Sequence, residues 1–513
     1  MIVMGADAGN AFAEAPPPQQ PLYMEINDQY RDWWTKHKKR PPIPKGYVLP
    51  VLHAIQGHPE SPRLWDQYIS NILVQKENFR NTTHEKCIYS TKIKGKKVLF
   101  LRQVDDFAVA CKDKTIAQAV IKQIGQYLSV PLNDLGIIKK FNGIDVTQAR
   151  DYVKISCETF LDKVLDQHGW QETITQHNPI PMRDDNTYQQ QLEIAELPTT
   201  IQQQQQLRDE NFNYRQVIGE AIYAMTVARP DISAAVIKLS QYAANPAKIH
   251  YQALRHLMKY LALTKSHGIH YWRTVPNLLL PDVKPQTCIL DDDITRSIPQ
   301  NTKPEVLQGY VDSDWGTDRS HRRSVTGIAI ILAGAVIAYK TKYQPTVALS
   351  STEAEFAAAA EAGKMILYLR SILYELGFEQ HLPTVLFEDN QGALHMANSG
   401  QPTKRTRHMD IKYFALQNWC ETDLIKLQQI STKYNISDAF TKNLGRIKFY
   451  QQMDVLMGRR IPVYSPTFKP PRTDTIQAKI KQSKQIHHES STPTLSSIIQ
   501  RMIPTYDLTA SAA

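Results

Sequence analysis

Cysteine is scarce in this chain. The 513 residues hold five, Cys87, Cys111, Cys157, Cys288 and Cys420, odd in number and never spaced Cys-x-x-Cys. That scatter argues against a disulfide framework or a structural zinc site and favours a reducing compartment. Long apolar runs are missing as well. The longest, Gly327 to Tyr339, falls short of the roughly 20 residues that cross a bilayer and reads as two strands around Ala333-Gly334-Ala335. The N-terminus shows no basic stretch followed by an apolar core, so no signal peptide is read there. Charge of one sign is only mildly in excess, with a net +10 and a pI near 9.1. A basic balance suits phosphate-rich partners but does not by itself separate nucleic acid from an anionic surface.

What is present suits a multidomain protein: 42% hydrophobic and 21% charged residues over this length are enough for more than one core. Along the chain, residues 1–50 open on a strand at Met1 to Met4 and meet prolines at 16–18 and at 41, 42 and 44. Residues 51–80 read as a helix entered through Pro62. Residues 87–111 read as a β-hairpin turning at Lys94 to Lys97, its second strand running into Val104-Asp105-Asp106. A helix over 115–130 and a hairpin over 141–157 follow. Residues 185–212 are rich in glutamine and read as a mobile linker. Residues 214–263 are helical with a break at Arg229-Pro230-Asp231, and 274–305 carry five prolines, an interdomain linker. Residues 306–445 alternate strand and helix signals, which predicts a compact mixed sheet with helices. The residues after 460 read as a disordered tail.

Acidic residues recur at the joints of this last segment. Asp312 and Asp314 close an apolar strand, Glu353 and Glu355 open a long helix, Asp389 follows another strand, and Asp438 opens a short helix. Each has an ordinary structural reading. An Asp-x-Asp pair suits a strand-end turn. Ser350…Glu353 and Thr352…Glu355 both fit a capping box. Asp389 and Asp438 suit N-caps. Their order within about 140 residues suggests a second reading, four carboxylates gathered at one sheet edge around Mg²⁺ or Mn²⁺. The basic clusters His321-Arg322-Arg323 and Lys404-Arg405-Thr406-Arg407-His408 then become phosphate contacts, and His408 a proton carrier for a leaving group.

Seven short stretches carry a resemblance. They are Pro62-Arg63-Leu64-Trp65, Val104-Asp105-Asp106, Ala228-Arg229-Pro230-Asp231-Ile232, Asp312-Ser313-Asp314-Trp315, Ser350 to Glu355, Glu388-Asp389-Asn390-Gln391 and Arg407-His408-Met409-Asp410. Together and in this order they resemble the C-terminal part of a copia-type LTR-retrotransposon Pol polyprotein, reverse transcriptase followed by ribonuclease H. Gln103 stands where that family has tyrosine, and Gly57 to Ser61 departs from its usual turn.

The resemblance implies an α/β (α+β) chain. A reverse-transcriptase palm with partial fingers (1–165) precedes a helical, thumb-like region with the Gln-rich linker (166–273). After the linker at 274–305 come a ribonuclease H-like mixed-sheet domain (306–445) and a C-terminal extension, largely a disordered tail (446–513). It implies Asp312, Glu355, Asp389 and Asp438 as nuclease metal ligands, with Asp314 and Glu353 as neighbours. It implies Asp7, Asp105 and Asp106 as polymerase metal ligands, and His408 as a catalytic group. The expected activities are RNA-directed DNA synthesis and cleavage of RNA in RNA–DNA hybrids by two-metal phosphoryl transfer with Mg²⁺ or Mn²⁺. The expected partners are an RNA template, a DNA primer, the hybrid and dNTPs, with no membrane. The expected place is the cytoplasm, within a virus-like particle, or the nucleus. The chain is also expected to be truncated ahead of the first palm strand. That leaves two other outcomes, a nuclease with an inactive polymerase and a non-catalytic nucleic-acid-binding remnant.

Overall fold

Alternation of apolar and polar residues, the signature of a sheet with one covered face, is clearest in Lys96–Gln103. Val98, Phe100 and Arg102 are buried there while Leu101 and Gln103 are exposed. The computed structural model describes residues 1–149, 152–170, 180–273, 306–317, 321–398 and 410–459. The chain divides into two units, Met1–Ile155 and Ser156–Ala513.

The first unit is built on a six-stranded sheet. Numbered within the two large sheets, its strands are β1 (Ile2–Asp7), β2 (Arg80–Asn81), β3 (Ile88–Ile93), β4 (Lys96–Gln103), β5 (Asp106–Cys111) and β6 (Asn133–Ile137). Their order is β2-β3-β4-β5-β1-β6, and every pairing is antiparallel. The hairpin expected over 87–111 is thus a three-strand meander, and the N-terminal strand lies inside the sheet next to its last strand. The core gathers Trp65 and Ile69 from the helix Ser61–Asn71, Phe100 and Phe107 from the sheet, and Val120 and Ile124 from the helix Lys114–Gly125. The first of these helices runs into a π-helical turn that ends at Lys76, short of the predicted 80. Arg102 points into this core, where an unpaired cation would be costly. It meets the Asp66 carboxylate and donates to the Tyr89 hydroxyl at 3.2 Å.

In the second unit, residues 185–212 correct the expected mobile linker. They form two helices, Asn186–Ile194 and Ile201–Glu210. Glutamine is a good helix former, and both helices have N-caps: Asp185 accepts from Thr187 N, and Thr200 and Gln203 form a capping box. Leu192 is fully buried, and its carbonyl lies 2.7 Å from His250 Nε2. Low complexity suggested a linker, but a few buried contacts and two caps decide the outcome.

The helices Tyr214–Val227, Ser233–Ser240 and Lys248–Leu263 follow, with the expected break at Arg229 to Ile232. Arg229 is wholly buried there and forks onto Asp231 at 2.9 and 2.7 Å. It also donates to Thr264 Oγ1 at 2.6 Å, while Tyr260 donates to Asp231 at 2.7 Å.

The second sheet has five strands: β7 (Gln308–Asp314), β8 (Val325–Leu332), β9 (Ala335–Tyr343), β10 (Thr384–Glu388) and β11 (Ile425–Gln429). Their order is β9-β8-β7-β10-β11. β7 to β9 run antiparallel, and β10 and β11 join parallel to β7. One long helix, Ser351–Glu375, buries Ala358, Ala359 and Ala362 in this core. Such small side chains let a helix lie close to a sheet. Glycine is needed at close approaches such as those of Gly363 and Gly327. A Cβ on Gly363 would lie 2.6 Å from Trp419, and one on Gly327 would lie 2.6 Å from Thr441 Cγ2 and 2.8 Å from Ser437 O. The C-terminal extension begins as a further helix, Arg446–Leu456, with Phe449, Met453 and Leu456 buried. The linker at 274–305 and the tail from 460 lie outside the described residues. Both units are of the mixed α/β class expected. Among the described residues no helix is long and apolar enough to cross a membrane.

Candidate active sites

Asp312 lies inside β7, two residues before its end, with Gly327 of β8 as its ladder partner. Its carboxylate therefore faces the crowded joint made by the short helix Asp438–Thr441, where Thr441 donates its hydroxyl to Asp312 Oδ2. Glu355 comes from the second turn of the long helix and Asp389 from the junction after β10. Asp312, Glu355 and Asp389 each offer an oxygen within 4.8 Å of the other two, and among the described residues no other set of acids, histidines or cysteines does so.

The alternative capping roles fall to neighbours. Ser350 Oγ accepts from Glu353 N at 3.1 Å, and Glu353 accepts from Leu349 N at 2.8 Å, which leaves Glu355 out of the cap. Asn390, rather than Asp389, accepts from Ala393 N at 3.0 Å at the start of the helix Gln391–Asn398.

Asp438 stands apart from the trio and is joined to it through a lysine. Lys442 Nζ lies 2.8 Å from Asp438 Oδ1 and 3.5 Å from Asp312 Oδ2, and Lys448 pairs with Asp438 Oδ2. Asp438 and Glu388 are completely buried, and Asp312 is nearly so. Burial pushes Asp312 upward against the opposing pull of Lys442. Burial and then the Glu388 charge push Glu355 up strongly, and burial does the same to Glu388. Burial alone would depress Lys442, but Asp312 and Asp438 raise it. One oxygen of Glu355 and one of Glu388 are buried with no hydrogen-bond partner. Clustered carboxylates with buried oxygens that lack donors are what a hard divalent cation satisfies, so this donor set fits Mg²⁺ or Mn²⁺.

Asp314, two residues along β7, is raised by burial and lines a cleft of about 510 Å³ with Trp315, Lys238 and Lys442. Arg322, from the first basic cluster, also lines this cleft. His408 and its basic cluster lie outside the described residues. Sequence reasoning missed Glu388, Lys442 and Lys448. The spacing of Asp438 and Lys442, four residues apart, was the available signal for one of them. Nothing local marked the others.

In the first unit, Asp7 and Asp106 face each other across the β1–β5 ladder, and Asp105 sits in the turn before β5. Ala8 N donates to Asp105 O at 2.9 Å, which ties the turn to the end of β1. The turn residue Val104 has φ +55°, the left-handed region that a β-branched side chain resists. Trp65, a residue of the Pro62 to Trp65 stretch, holds it there, donating its indole N–H to Val104 O at 2.7 Å. Asp106 accepts from Asn142 N at 2.9 Å. Asp7 is raised by burial and then by the Asp105 and Asp106 charges. Asp105 is exposed, and Gln103 is paired opposite Asp106. The three acids share one sheet end without closing to the mutual distances of the second unit's trio.

A family model for reverse transcriptase (RNA-dependent DNA polymerase) matches residues 45–182. The Pol polyprotein of the tobacco (Nicotiana tabacum) transposon TNT 1-94 is 26% identical over 84% of this chain and 29% of its own length. That of Arabidopsis thaliana transposon RE1 is 26% identical over 89% of this chain and 27% of its own. The chain thus spans less than a third of these relatives. A shorter relative, the secreted RxLR effector protein 161 of Plasmopara viticola, is 34% identical over 31% of this chain and 92% of its own length. Among solved structures, a ribonuclease H1 isolated from compost aligns at 13% identity over 27% of this chain and 93% of its own, with a TM-score of 0.22, too low to carry an argument.

Proposed function

The chain belongs to the copia-type retrotransposon Pol family, and from that premise we propose that its second unit cleaves RNA in RNA–DNA hybrids and its first carries RNA-directed DNA polymerase chemistry. The observation that carries the nuclease reading is the trio of buried Asp312, buried Glu355 and half-buried Asp389, with carboxylate oxygens on Glu355 and Glu388 that no protein donor satisfies. Bound Mg²⁺ or Mn²⁺ supplies the charge that activates water and stabilises the phosphate. The chain's own residues do the rest. Asp312, Glu355 and Asp389 bind from three separate elements, so the site keeps its shape only when strand, helix and junction are packed together. Asp438 closes the cluster from the side of the short helix, through Lys442.

In the first unit the proposed polymerase acids are Asp7, Asp105 and Asp106, with Trp65 fixing the turn that presents the last two. The proposed boundaries are fingers and palm over 1–165, a thumb-like region over 166–273, and the nuclease domain over 306–445. His408 is the proposed proton carrier. The substrates are an RNA template, a DNA primer, dNTPs and the hybrid, encountered in a cytoplasmic virus-like particle or the nucleus. A net charge of +10 suits these polyanions.

Hybrid cleavage and primer extension, assayed side by side with Mg²⁺, test both halves. Asp389→Asn is expected to abolish cleavage alone, and Asp106→Asn extension alone. Cleavage that survives Asp389→Asn would sink the nuclease site. Cleavage without extension in the unsubstituted chain would leave a nuclease with an inactive polymerase, the reading favoured by the looser grouping of Asp7, Asp105 and Asp106.

A further inference from the structure

The acidic cluster of the second unit is lopsided. On one side, Glu355 and Glu388 each keep a buried oxygen with no donor, beside Asp312 and Asp389. On the other, Asp438 is fully buried; its Oδ1 likewise accepts no hydrogen bond, but its carboxylate is ion-paired with two cations, Lys442 Nζ at 2.8 Å and the Lys448 ammonium. Lys442 also reaches Asp312 Oδ2 at 3.5 Å, and the Thr441 hydroxyl donates to that same oxygen. One half of the cluster is neutralised from within the chain; the other half has no such partner. A divalent ion arriving at the bare half meets carboxylates alone. At the Asp438 half it must first displace a lysine and leave that ammonium without its two carboxylates.

We propose that the chain, free of nucleic acid, takes a single divalent cation on Asp312, Glu355 and Asp389, and that Lys442 is a built-in second cation holding the Asp312–Asp438 half of the cluster closed. This rests on the metal-centre reading above and narrows it. Lys442 is a positioning residue in this account, since it acts on two acids. It sets how many ions the site accepts and keeps two buried carboxylates from repelling each other.

Mn²⁺ titration of the full chain at neutral pH, followed by calorimetry and by the free-ion electron paramagnetic resonance signal, reads the stoichiometry directly. The unsubstituted chain is expected to bind one Mn²⁺. Lys442→Met is expected to bind two and Lys442→Arg one. Lys448→Gln is also expected to bind one, because Lys448 pairs with Asp438, whereas it is Lys442 that reaches Asp312. Asp389→Asn is the control for the underlying reading and should weaken the first ion at least tenfold. If Asp389→Asn leaves Mn²⁺ binding unchanged, the metal-centre reading itself fails. If Asp389→Asn weakens binding but the unsubstituted chain takes two ions, or Lys442→Met still takes one, the lysine inference alone is overturned. Lys442→Met removes a cation from buried acids and could fail to fold, so a measurement on the unsubstituted chain stands beside it. Reductive methylation read by mass spectrometry should label Lys442 equally with and without saturating Mn²⁺. A tenfold rise in labelling on adding Mn²⁺ would show the lysine displaced, and the inference lost.

Discussion

The two units handle acidic residues in opposite ways. At the end of β1 and β5, Asp105 is exposed and Asp7 and Asp106 are only half-buried, so water pays most of the solvation of these charges. Geometry is what the fold supplies there, through a left-handed Val104 pinned by Trp65. Beside β7, Asp312, Glu355, Glu388 and Asp438 are all buried, and the compensation the chain itself supplies comes from lysines and a threonine hydroxyl. An open site keeps its charge readily but holds its shape loosely. A buried site holds its shape but depends on counter-charge to stay ionised.

The sharpest way to break this comparison is to neutralise one acid in each unit. Asp389→Asn should lower hybrid cleavage by on the order of 10⁴-fold, as removal of one member of a cooperating set does. Cleavage of a labelled hybrid measures it, and primer extension should be untouched.

Next in size is Arg229→Met. It leaves Asp231 buried without its partner, and breaking such a pair costs about 3–5 kcal/mol. Hydrogen exchange should speed up over 214–263 while the β3–β5 meander of the first unit keeps its rates. Equal acceleration in both units would show that the two are not energetically separate.

A smaller effect comes from pH. Asp312 is held up to about 6 chiefly by burial, against 3.8 for the ordinary group. The folded chain therefore binds this proton more tightly than the unfolded one. The resulting stabilisation is complete below about pH 3.8 and is lost as pH rises through about 6, a loss of about 3 kcal/mol from this group. Metal-free protein should thus show faster exchange over β7 at pH 7 than at pH 5, after correction for intrinsic exchange. Saturating Mn²⁺ should reverse the difference at pH 7. Asp7 is raised too, but it is only half-buried, so β1 should respond less.

Smallest is Trp65→Phe, which deletes one hydrogen bond to the Val104 carbonyl. Such a bond contributes about 1 kcal/mol. Primer extension should fall severalfold with hybrid cleavage unchanged. No change in extension would mean that the turn holds its shape without the indole.

Much of the fold was legible in order of residues. Thr384–Glu388 was readable as a strand from its apolar run, and Ser350 to Leu376 as one helix from its cap and length. The three acids that cluster were legible as well, because strand and helix ends are where a chain can bring side chains together from distant positions. The Gln-rich stretch was misread because composition does not report caps or a single buried leucine. Lys442 and Glu388 were not legible, since their roles depend on β7 and the short helix meeting across more than a hundred residues of chain. The same holds for Trp65 and Val104, neighbours only once the meander has folded. Arg229 and Asp231 were visible as a break in a helical run, but their burial against Thr264 and Tyr260 was not.

Gly327 has one more consequence, and it concerns inheritance. Every single-base missense change in a glycine codon installs a side chain. At this position even a methyl group would meet Thr441 and the Ser437 carbonyl at less than 3 Å. Such a change would push the short helix, with Thr441 and Lys442, away from Asp312. Codon 327 is then a place where one inherited base change disturbs the Asp312 cluster without touching any acid in it.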